Sequence, residues 1–149
     1  MTFRALASDL GVTPRSIAYH VGTREELFGS LVEQVFAGVA SALEEETDDP
    51  VMGLLMRYCE RVIAHPKLTA YVLADLSLMS DELSSLTRQV RAHLQERGVR
   101  KTELRTAVGV VIDYTHGFAF SAGASPANPL TLADFETGLG WLLERIDRE

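Results

Sequence analysis

The sequence has little of several features that mark particular protein classes. It contains one cysteine, Cys59, among 149 residues, so no disulfide can form within the chain and a reducing cytoplasm is the expected setting. No stretch keeps the alternation of apolar and polar residues that marks a strand. The longest weakly charged stretch, residues 107–122, is interrupted by Asp113 and His116 and is too short to span a bilayer comfortably. No basic stretch followed by an apolar run opens the chain, as it would in a secretory signal. We therefore expect neither a disulfide-bonded protein nor a membrane protein.

Residue patterns typical of metal sites and of common catalytic centres are also missing. The four histidines lack metal-ligand spacing and Cys59 stands alone, so no metal site is predicted. The sequence shows no serine–histidine–aspartate order, no glycine loop suited to phosphate and no convincing carboxylate pair. Its carboxylates concentrate between Glu44 and Asp49, where a solvated helix end is the expected role. The prediction is a protein that is not an enzyme and holds no cofactor.

The composition is that of a globular protein, with 46% apolar and 23% charged residues. The net charge of −7 is unevenly distributed. In residues 1–24 three arginines outweigh one aspartate, which gives +2, whereas residues 25–149 carry −9. A mildly basic head on an acidic body indicates that only the head can approach a polyanion.

Proline, glycine and helix-capping residues divide the chain into helices with short connections. The predicted fold class is all-α, with an N-terminal helix-turn-helix followed by a helical bundle. Helices are predicted over residues 2–10, 14–20, 24 to about 44, 50–65, 68–78, 80–97, 102–122 and 132–146.

Two short helices separated by a glycine-containing turn have the dimensions of a helix-turn-helix, in which the second helix enters the major groove. Thr13 and Pro14 begin the second helix and leave its first backbone amides free to meet a phosphate. Arg15 and Ser16 lie at the end of that helix where base edges are usually read. An ordinary solvated helix face would show the same residue types, so spacing alone leaves both interpretations open. The candidate DNA contacts are Thr13, Pro14, Arg15, Ser16, Tyr19, His20 and Arg24.

Several short motifs occur together in this region. They are Thr2-Phe3-Arg4-Ala5-Leu6-Ala7, Leu10-Gly11-Val12-Thr13, Ile17-x-x-His20-Val21 and the capping box Thr23-Arg24-Glu25-Glu26-Leu27. This combination resembles the helix-turn-helix of the tetracycline-repressor (TetR-like) family over residues 1 to about 35. The resemblance implies a homodimeric transcriptional regulator, usually a repressor that a small ligand releases from its operator. It also implies two domains: residues 1–46 for DNA binding with a long connecting helix, and residues 47–149 for ligand binding and dimerisation.

The sequence departs from the family pattern at two points. The family usually has a tyrosine at the position of Ala18, which touches the DNA backbone, and either Tyr19 replaces that contact or it is lost. Family members also carry a helix before the residue that matches Thr2, and this helix is missing here. Two functions are therefore kept open. The first is a regulator whose partners are double-stranded operator DNA, a small effector and a second copy of the chain. The second is a ligand-binding and dimerisation module that does not bind DNA.

Flexible thioethers and aromatic rings suit irregular apolar ligands, and several of them recur at helical spacing in the body. The apolar bias favours a lipophilic or aromatic effector, although ordinary core packing is the alternative. Asp113 and His116 lie one turn apart, where they form either a polar anchor for the effector or an ion pair. The candidate effector contacts are Met52, Met56, Cys59, His65, Tyr71, Met79, Asp113 and His116, with Tyr58, Ile63 and Leu78 in the same apolar set.

Residues 107–122 are apolar around most of the helix circumference and need cover on every side. The last helix adds apolar residues at near-heptad spacing. Together the two helices predict a four-helix dimer interface about a twofold axis, with a core within one chain as the alternative. The candidate interface residues are Val111, Tyr114, Phe118, Phe135, Leu139, Leu142 and Ile146.

Overall fold

A computed structural model describes residues 2–41, 48–124 and 129–146 of the chain. These residues contain eight α-helices, one short 3-10 helix and no strand, which confirms the all-α prediction. The helices are α1 (Phe3–Leu10), α2 (Pro14–Val21), α3 (Arg24–Phe36), α4 (Pro50–Ala64), α5 (Pro66–Ala74), a 3-10 helix (Leu76–Leu78), α6 (Asp81–Glu96), α7 (Leu104–Ala124) and α8 (Leu132–Ile146).

Most helix boundaries coincide with the capping residues of the sequence. Gly11 ends α1 in the left-handed conformation, with φ of 65°, which costs a glycine little. Asp49 caps α4 by accepting a hydrogen bond from the backbone N–H of Val51 at 3.0 Å. At the end of α6, the N–H of Val99 donates to the carbonyl of Leu94 at 3.1 Å, as in a Schellman motif. These local signals are sufficient to place the ends of most elements.

The end of α3 differs from the prediction. The apolar stripe predicted a helix to about Glu44, but α3 ends at Phe36. Ala37 leaves the helical region with ψ of 134°, and Gly38 has φ of 75°, a conformation that other residues rarely adopt. The carboxylates of residues 44–46, which were expected to mark the helix end, lie outside the described residues.

Side chains from the body hold the turn that follows α3. The Glu82 carboxylate accepts hydrogen bonds from the backbone N–H of Ala40 at 2.9 Å, from that of Ser41 at 3.1 Å and from the Ser41 hydroxyl at 2.7 Å. Arg57 on α4 donates to the carbonyl of Val39 at 3.2 Å. These bonds give the backbone partners that a continued helix would otherwise supply. The turn is therefore stabilised by residues distant in sequence.

The single helix predicted over residues 68–78 is also interrupted. Its first part, α5, ends at Ala74, and Asp75 takes an extended conformation. The Asp75 carboxylate accepts hydrogen bonds from the N–H of Ser77 at 3.1 Å and from its hydroxyl at 2.6 Å. These bonds cap the 3-10 helix, because aspartate competes well with continued helical bonding. They also lower the pKa of Asp75.

The core of the body lies where α7 packs against α4, α6 and α8, and the last part of α3 joins it through Val32 and Phe36. Within the described ranges, no helix combines the length and the apolar character needed to cross a membrane. The largest completely buried side chains include Phe36, Leu55, Leu86, Leu94, Leu104, Phe135, Leu139 and Leu143.

Three of the candidate dimer-interface residues belong to this core instead. Val111, Phe135 and Leu139 are fully buried within one chain, so a partner cannot reach their side chains. The rings of Phe135 and Tyr114 stack at a centroid distance of 5.5 Å, which ties α8 to α7. For these three residues the correct interpretation is the intramolecular core, because the neighbouring helices cover the inner face of α7 and α8. The other four candidates, Tyr114, Phe118, Leu142 and Ile146, are only half-buried.

Candidate nucleic-acid interface

The head of the molecule consists of α1, α2 and the beginning of α3. Helix α1 packs on α2, and α2 packs on α3. Ala7, Ile17 and Phe28 are the buried residues of these contacts. Because Ile17 anchors one face of α2 to the head, the opposite face of that helix is left exposed. This is the arrangement that a helix-turn-helix requires.

The N-terminus of α2 is exposed, but it offers fewer free amides than the sequence suggested. Pro14 has no N–H, and the N–H of Ser16 donates to the Thr13 hydroxyl at 3.1 Å. Among the first three residues of the helix, Arg15 is the one whose backbone amide is left for an anion. Its guanidinium is exposed beside that amide. The free backbone amide of Arg15 therefore suits a phosphate, and its exposed side chain is left for a contact with a base edge.

Arg15 and Tyr19, one turn apart, lie on the face of α2 opposite Ile17. The Tyr19 side chain is 85% exposed, and its ring meets the ring of His20 edge-on at a centroid distance of 5.3 Å. Ser16, which is half-buried, and His20, which is exposed, lie on the side of the helix between this face and Ile17. The exposed ring and hydroxyl of Tyr19 are both accessible to a partner molecule. The structure thus leaves the α2 candidates accessible to different degrees, with Arg15 and Tyr19 on the outermost face and Ser16 half-buried.

Arg24, the last of the predicted DNA contacts, begins α3. Its guanidinium carbon lies 5.2 Å from the centre of the Phe28 ring and 5.6 Å from the centre of the Tyr71 ring. The two rings stack on each other at 4.2 Å, with 20° between their planes. Tyr71 belongs to α5, so this stack joins the head to the body. Sequence reasoning placed Tyr71 in an effector site and did not find this contact.

The capping box that precedes this stack is present as predicted. The N–H of Thr23 donates to the Glu26 carboxylate at 2.6 Å, and the N–H of Glu26 donates to the Thr23 hydroxyl at 3.1 Å. The hydrogen bonds from Thr23, the backbone one above all, lower the pKa of Glu26. Two of the free amides at the start of α3 are thereby satisfied, which orients Arg24 next to the end of α2.

A cavity of about 180 Å³ lies in the body between α4, α5, the 3-10 helix, α6 and α7. The Tyr58 hydroxyl and Nε2 of His116 form a 2.8 Å hydrogen bond in its wall. Burial lowers the pKa of His116, with a smaller opposing effect from Asp113, and burial raises the pKa of Tyr58. Both groups are therefore neutral at pH 7. The lining residues are Tyr58, Val72, Leu73, Leu76, Met79, Leu83, Leu86, Thr87, Ile112 and His116.

Two of the eight candidate effector contacts, Met79 and His116, line this cavity. His116 is bonded to Tyr58 rather than to Asp113, and Asp113 is exposed, so the predicted pairing of Asp113 with His116 does not form. The remaining candidates lie elsewhere: Met52 close to Gly140 of α8, Met56 half-buried against the core, Cys59 fully buried, His65 exposed between α4 and α5, and Tyr71 in the stack with Arg24.

The residues that α6 contributes to the cavity were not predicted. Leu83, Leu86 and Thr87 lie on an amphipathic helix, whose apolar stripe has the same pattern whether it faces a core or a cavity. Only the packing of α6 against its neighbours distinguishes the two. Among the described residues, no group of three or more histidine, cysteine or acidic side chains is placed to hold a metal ion.

Among known proteins, similarity to this chain is found in solved structures. No family model matches the chain, and no curated protein matches its sequence. Among solved structures, BioQ in complex with its natural double-stranded DNA operator matches with a TM-score of 0.71 and 21% identity, over 99% of this chain and 86% of BioQ. SCO7222, a TetR protein from Streptomyces coelicolor, matches with a TM-score of 0.71 and 20% identity, over 98% of this chain and 87% of SCO7222. The chain has the TetR fold.

A third structure with the TetR fold agrees with this result. It is a proposed transcriptional regulator from Streptomyces coelicolor A3(2), with a TM-score of 0.70 and 17% identity, over 99% of this chain and 87% of that one. The likeness extends over the head and the body alike, whereas the sequence resemblance was confined to the head. At these identities it establishes the fold, and the function has to be argued from the residues of this chain.

Proposed function

We propose that the chain is a homodimeric DNA-binding transcriptional regulator, a repressor that leaves a palindromic operator when a small lipophilic or aromatic effector binds in its body. In this proposal residues 1–46 bind DNA and residues 47–149 bind the effector and the second subunit. The observation that carries it is the exposed face of α2, where Arg15 and Tyr19 stand opposite the buried Ile17. The protein has no catalytic role in this proposal.

Charge and fold support the DNA-binding part. The head carries +2 and the rest of the chain −9, so a duplex is attracted to the head and repelled by the body. BioQ, which has the same fold, was solved on its operator. In a helix-turn-helix the second helix lies in the major groove with its N-terminal residues at the base edges. For this chain those residues are Arg15 and Ser16, with Thr13, Tyr19, His20 and Arg24 directed to the sugar–phosphate backbone.

The outer surface of α7 and α8 supports the dimer. Trp141 is 56% exposed and Val110 is 42% exposed, next to the half-buried interface candidates of the same two helices. Large apolar side chains that are exposed on two helices packed against each other favour a protein contact. A pair formed about a twofold axis would present two α2 helices to two half-sites, one DNA turn or a small multiple of it apart.

The cavity supports the effector. Its walls are apolar apart from Tyr58, Thr87 and His116, and the first and last of these are neutral at pH 7. A charged molecule would lose its hydration there without a charged partner, whereas an apolar molecule with one hydrogen-bonding group is matched by this lining. Such a ligand would act by favouring the conformation that does not bind DNA.

The test is selection of duplexes from a randomised library by the purified chain, followed by binding measurements on the selected site. We expect a palindromic sequence whose affinity falls about 10- to 100-fold in Arg15→Gln, because a bidentate contact to a base is lost. Arg91→Gln, which removes an exposed arginine of the body, is the matched control and should bind as the wild type does.

Failure to enrich any duplex sequence would overturn the DNA-binding part of the proposal. If the same preparation still bound small apolar compounds and formed dimers, the module without DNA activity would be the correct function.

A further inference from the structure

Helix α5 contacts the cavity on one side and the beginning of α3 on the other. Val72 and Leu73 line the cavity, while the preceding residue, Tyr71, stacks on Phe28 and lies beneath the guanidinium of Arg24. The 3-10 helix that follows contributes Leu76 to the cavity and packs against α3. The same short segment therefore touches the interior of the body and the beginning of α3.

Arg24 needs such support because its side chain is long, exposed and attached to the first residue of α3. A free arginine samples many rotamers and loses that freedom when it binds a phosphate. The guanidinium carbon lies beside two stacked rings, one from its own helix and one from α5, within about 6 Å of both ring centres, and contact with both rings restricts the side chain. Ordering the side chain before DNA arrives reduces the cost of the contact.

We propose that Tyr71 is a positioning residue that orients Arg24 for a DNA phosphate, and that its place on the wall of the cavity makes this orientation depend on what the cavity contains. The inference rests on the proposed function, since it assigns a regulatory contact to the same DNA-binding surface. A molecule that presses on Val72 and Leu73 must displace the backbone of Tyr71, because these three residues are consecutive on one helix. Displacing the tyrosine ring removes half of the support of Arg24.

The salt dependence of DNA binding measures this role directly. The slope of the logarithm of affinity against the logarithm of salt concentration counts the phosphates that the protein neutralises, and it does not require a known operator. The probe is a fluorescent duplex of mixed sequence, about 30 base pairs long, which is enough for both heads of a dimer. Arg24→Gln should lower the slope by about one per head, because one phosphate contact is lost.

Four further variants test the role of Tyr71. Tyr71→Leu keeps an apolar side chain without a ring and should lower the slope most of the way to that of Arg24→Gln. Tyr71→Phe keeps the ring and should preserve the wild-type slope. Thr69→Ala removes a buried side chain on the opposite side of the same helix from Tyr71, and it should reduce stability without changing the slope. The double variant Arg24→Gln/Tyr71→Leu should bind no more weakly than Arg24→Gln alone.

The dependence on the cavity is tested with Leu83→Phe, which adds volume to its lining from α6. We expect this variant to lower the slope in the wild-type background and to have no further effect when Arg24 is already glutamine. An unchanged slope in Leu83→Phe, with a lowered slope in Tyr71→Leu, would overturn the link to the cavity and leave the positioning role.

An unchanged slope in Tyr71→Leu, where Arg24→Gln lowers it, would overturn the positioning role itself. If the wild-type chain binds no duplex, the proposed function fails, and the phosphate role of Arg24 fails with it. The contact between Tyr71 and Arg24 is then decided separately by a double-mutant cycle on urea unfolding, in which additivity of the two substitutions rules it out.

Discussion

The Tyr58 hydroxyl and Nε2 of His116 lie 2.8 Å apart and join α4 to α7 at the wall of the cavity. Both side chains are largely buried, and the ring of His116 also stacks on that of Phe120 at 6.3 Å. A neutral histidine satisfies the tyrosine hydroxyl without bringing a charge into an apolar wall. Protonation of His116 would place a charge there, which Asp113 offsets only in part.

This relationship predicts a pH dependence of stability. Burial lowers the pKa of folded His116 below its ordinary value of 6.5, so the unfolded chain binds the proton more readily. The contribution to stability is complete above the unfolded pKa and is lost as pH falls towards the folded pKa. Urea unfolding at pH values from about 7.5 down to about 5.5 should show a falling free energy of unfolding. His116→Gln should weaken this dependence, and an unaltered profile in that variant would assign it to other groups.

Substitution of glycine by alanine should change stability differently at two positions of α8, Gly138 and Gly140. A Cβ on Gly138 would overlap the hydroxyl end of the Tyr114 side chain, which stacks on Phe135. A Cβ on Gly140 would meet only the methyl carbon of Met52, at 3.8 Å.

Gly138→Ala should therefore lower the free energy of unfolding by about 1–3 kcal/mol through overpacking. Gly140→Ala should be neutral or raise it by up to about 1 kcal/mol, because alanine favours the helix. Chemical unfolding at equal protein concentrations measures both. Equal effects of the two substitutions would contradict the packing at Gly138.

Glu82 should matter for the turn after α3. Its carboxylate accepts three hydrogen bonds from Ala40 and Ser41, and the bond from the Ser41 hydroxyl is the main cause of its lowered pKa. Glu82→Ala should lower the free energy of unfolding by about 1–2 kcal/mol, allowing for partial exposure. Glu136→Ala, which removes an exposed carboxylate of α8, is the control and should have little effect.

The same carboxylate has a distinct pH signature. Because the pKa of Glu82 is lowered, its stabilising contribution is complete above the ordinary glutamate pKa of 4.5 and is lost as pH falls below that value. The difference in stability between the wild type and Glu82→Ala should shrink in that acidic range. A constant difference down to about pH 3 would show that the carboxylate charge is not what holds the turn.

Cys59 is predicted to be unreactive in the native protein. It is completely buried, and burial, with a smaller effect from Glu60, raises the pKa of its thiol to about 12. The thiolate is the reactive form, so it is nearly absent at neutral pH. An aromatic disulfide reagent at pH 8 should modify the thiol only after the chain is unfolded in urea. Rapid and complete labelling of the folded protein would show that α4 opens readily.

The sequence was most informative where one or two neighbouring residues decide the structure. The left-handed Gly11, the Thr23–Glu26 capping box and the proline that begins α4 are local features, and each is found where it was predicted. The helix-turn-helix and the exposure of Arg15 follow from them. The all-α class follows from the helical spacing of apolar residues alone.

Features that depend on residues far apart in sequence were not predicted. The end of α3 at Phe36 depends on Glu82 and Arg57, which no local pattern connects with that turn. The cavity depends on how α6 approaches α7, and an apolar stripe does not reveal whether it faces a core or a void. The assignment of Val111 to a dimer interface failed for the same reason, because an apolar helix face does not say whether its cover comes from the same chain.

The residues at the outer rim of the cavity can be substituted without disturbing the buried core. Leu73, Leu76 and Met79 border the cavity and are all partly open to solvent, outside the tightly packed core. Exchanging them alters the shape offered to a guest molecule while the buried scaffold that sustains folding stays intact. In the proposed function, effector recognition and folding therefore depend on different residues. Under that proposal, a change of effector needs only substitutions at these exposed positions, with little loss of stability.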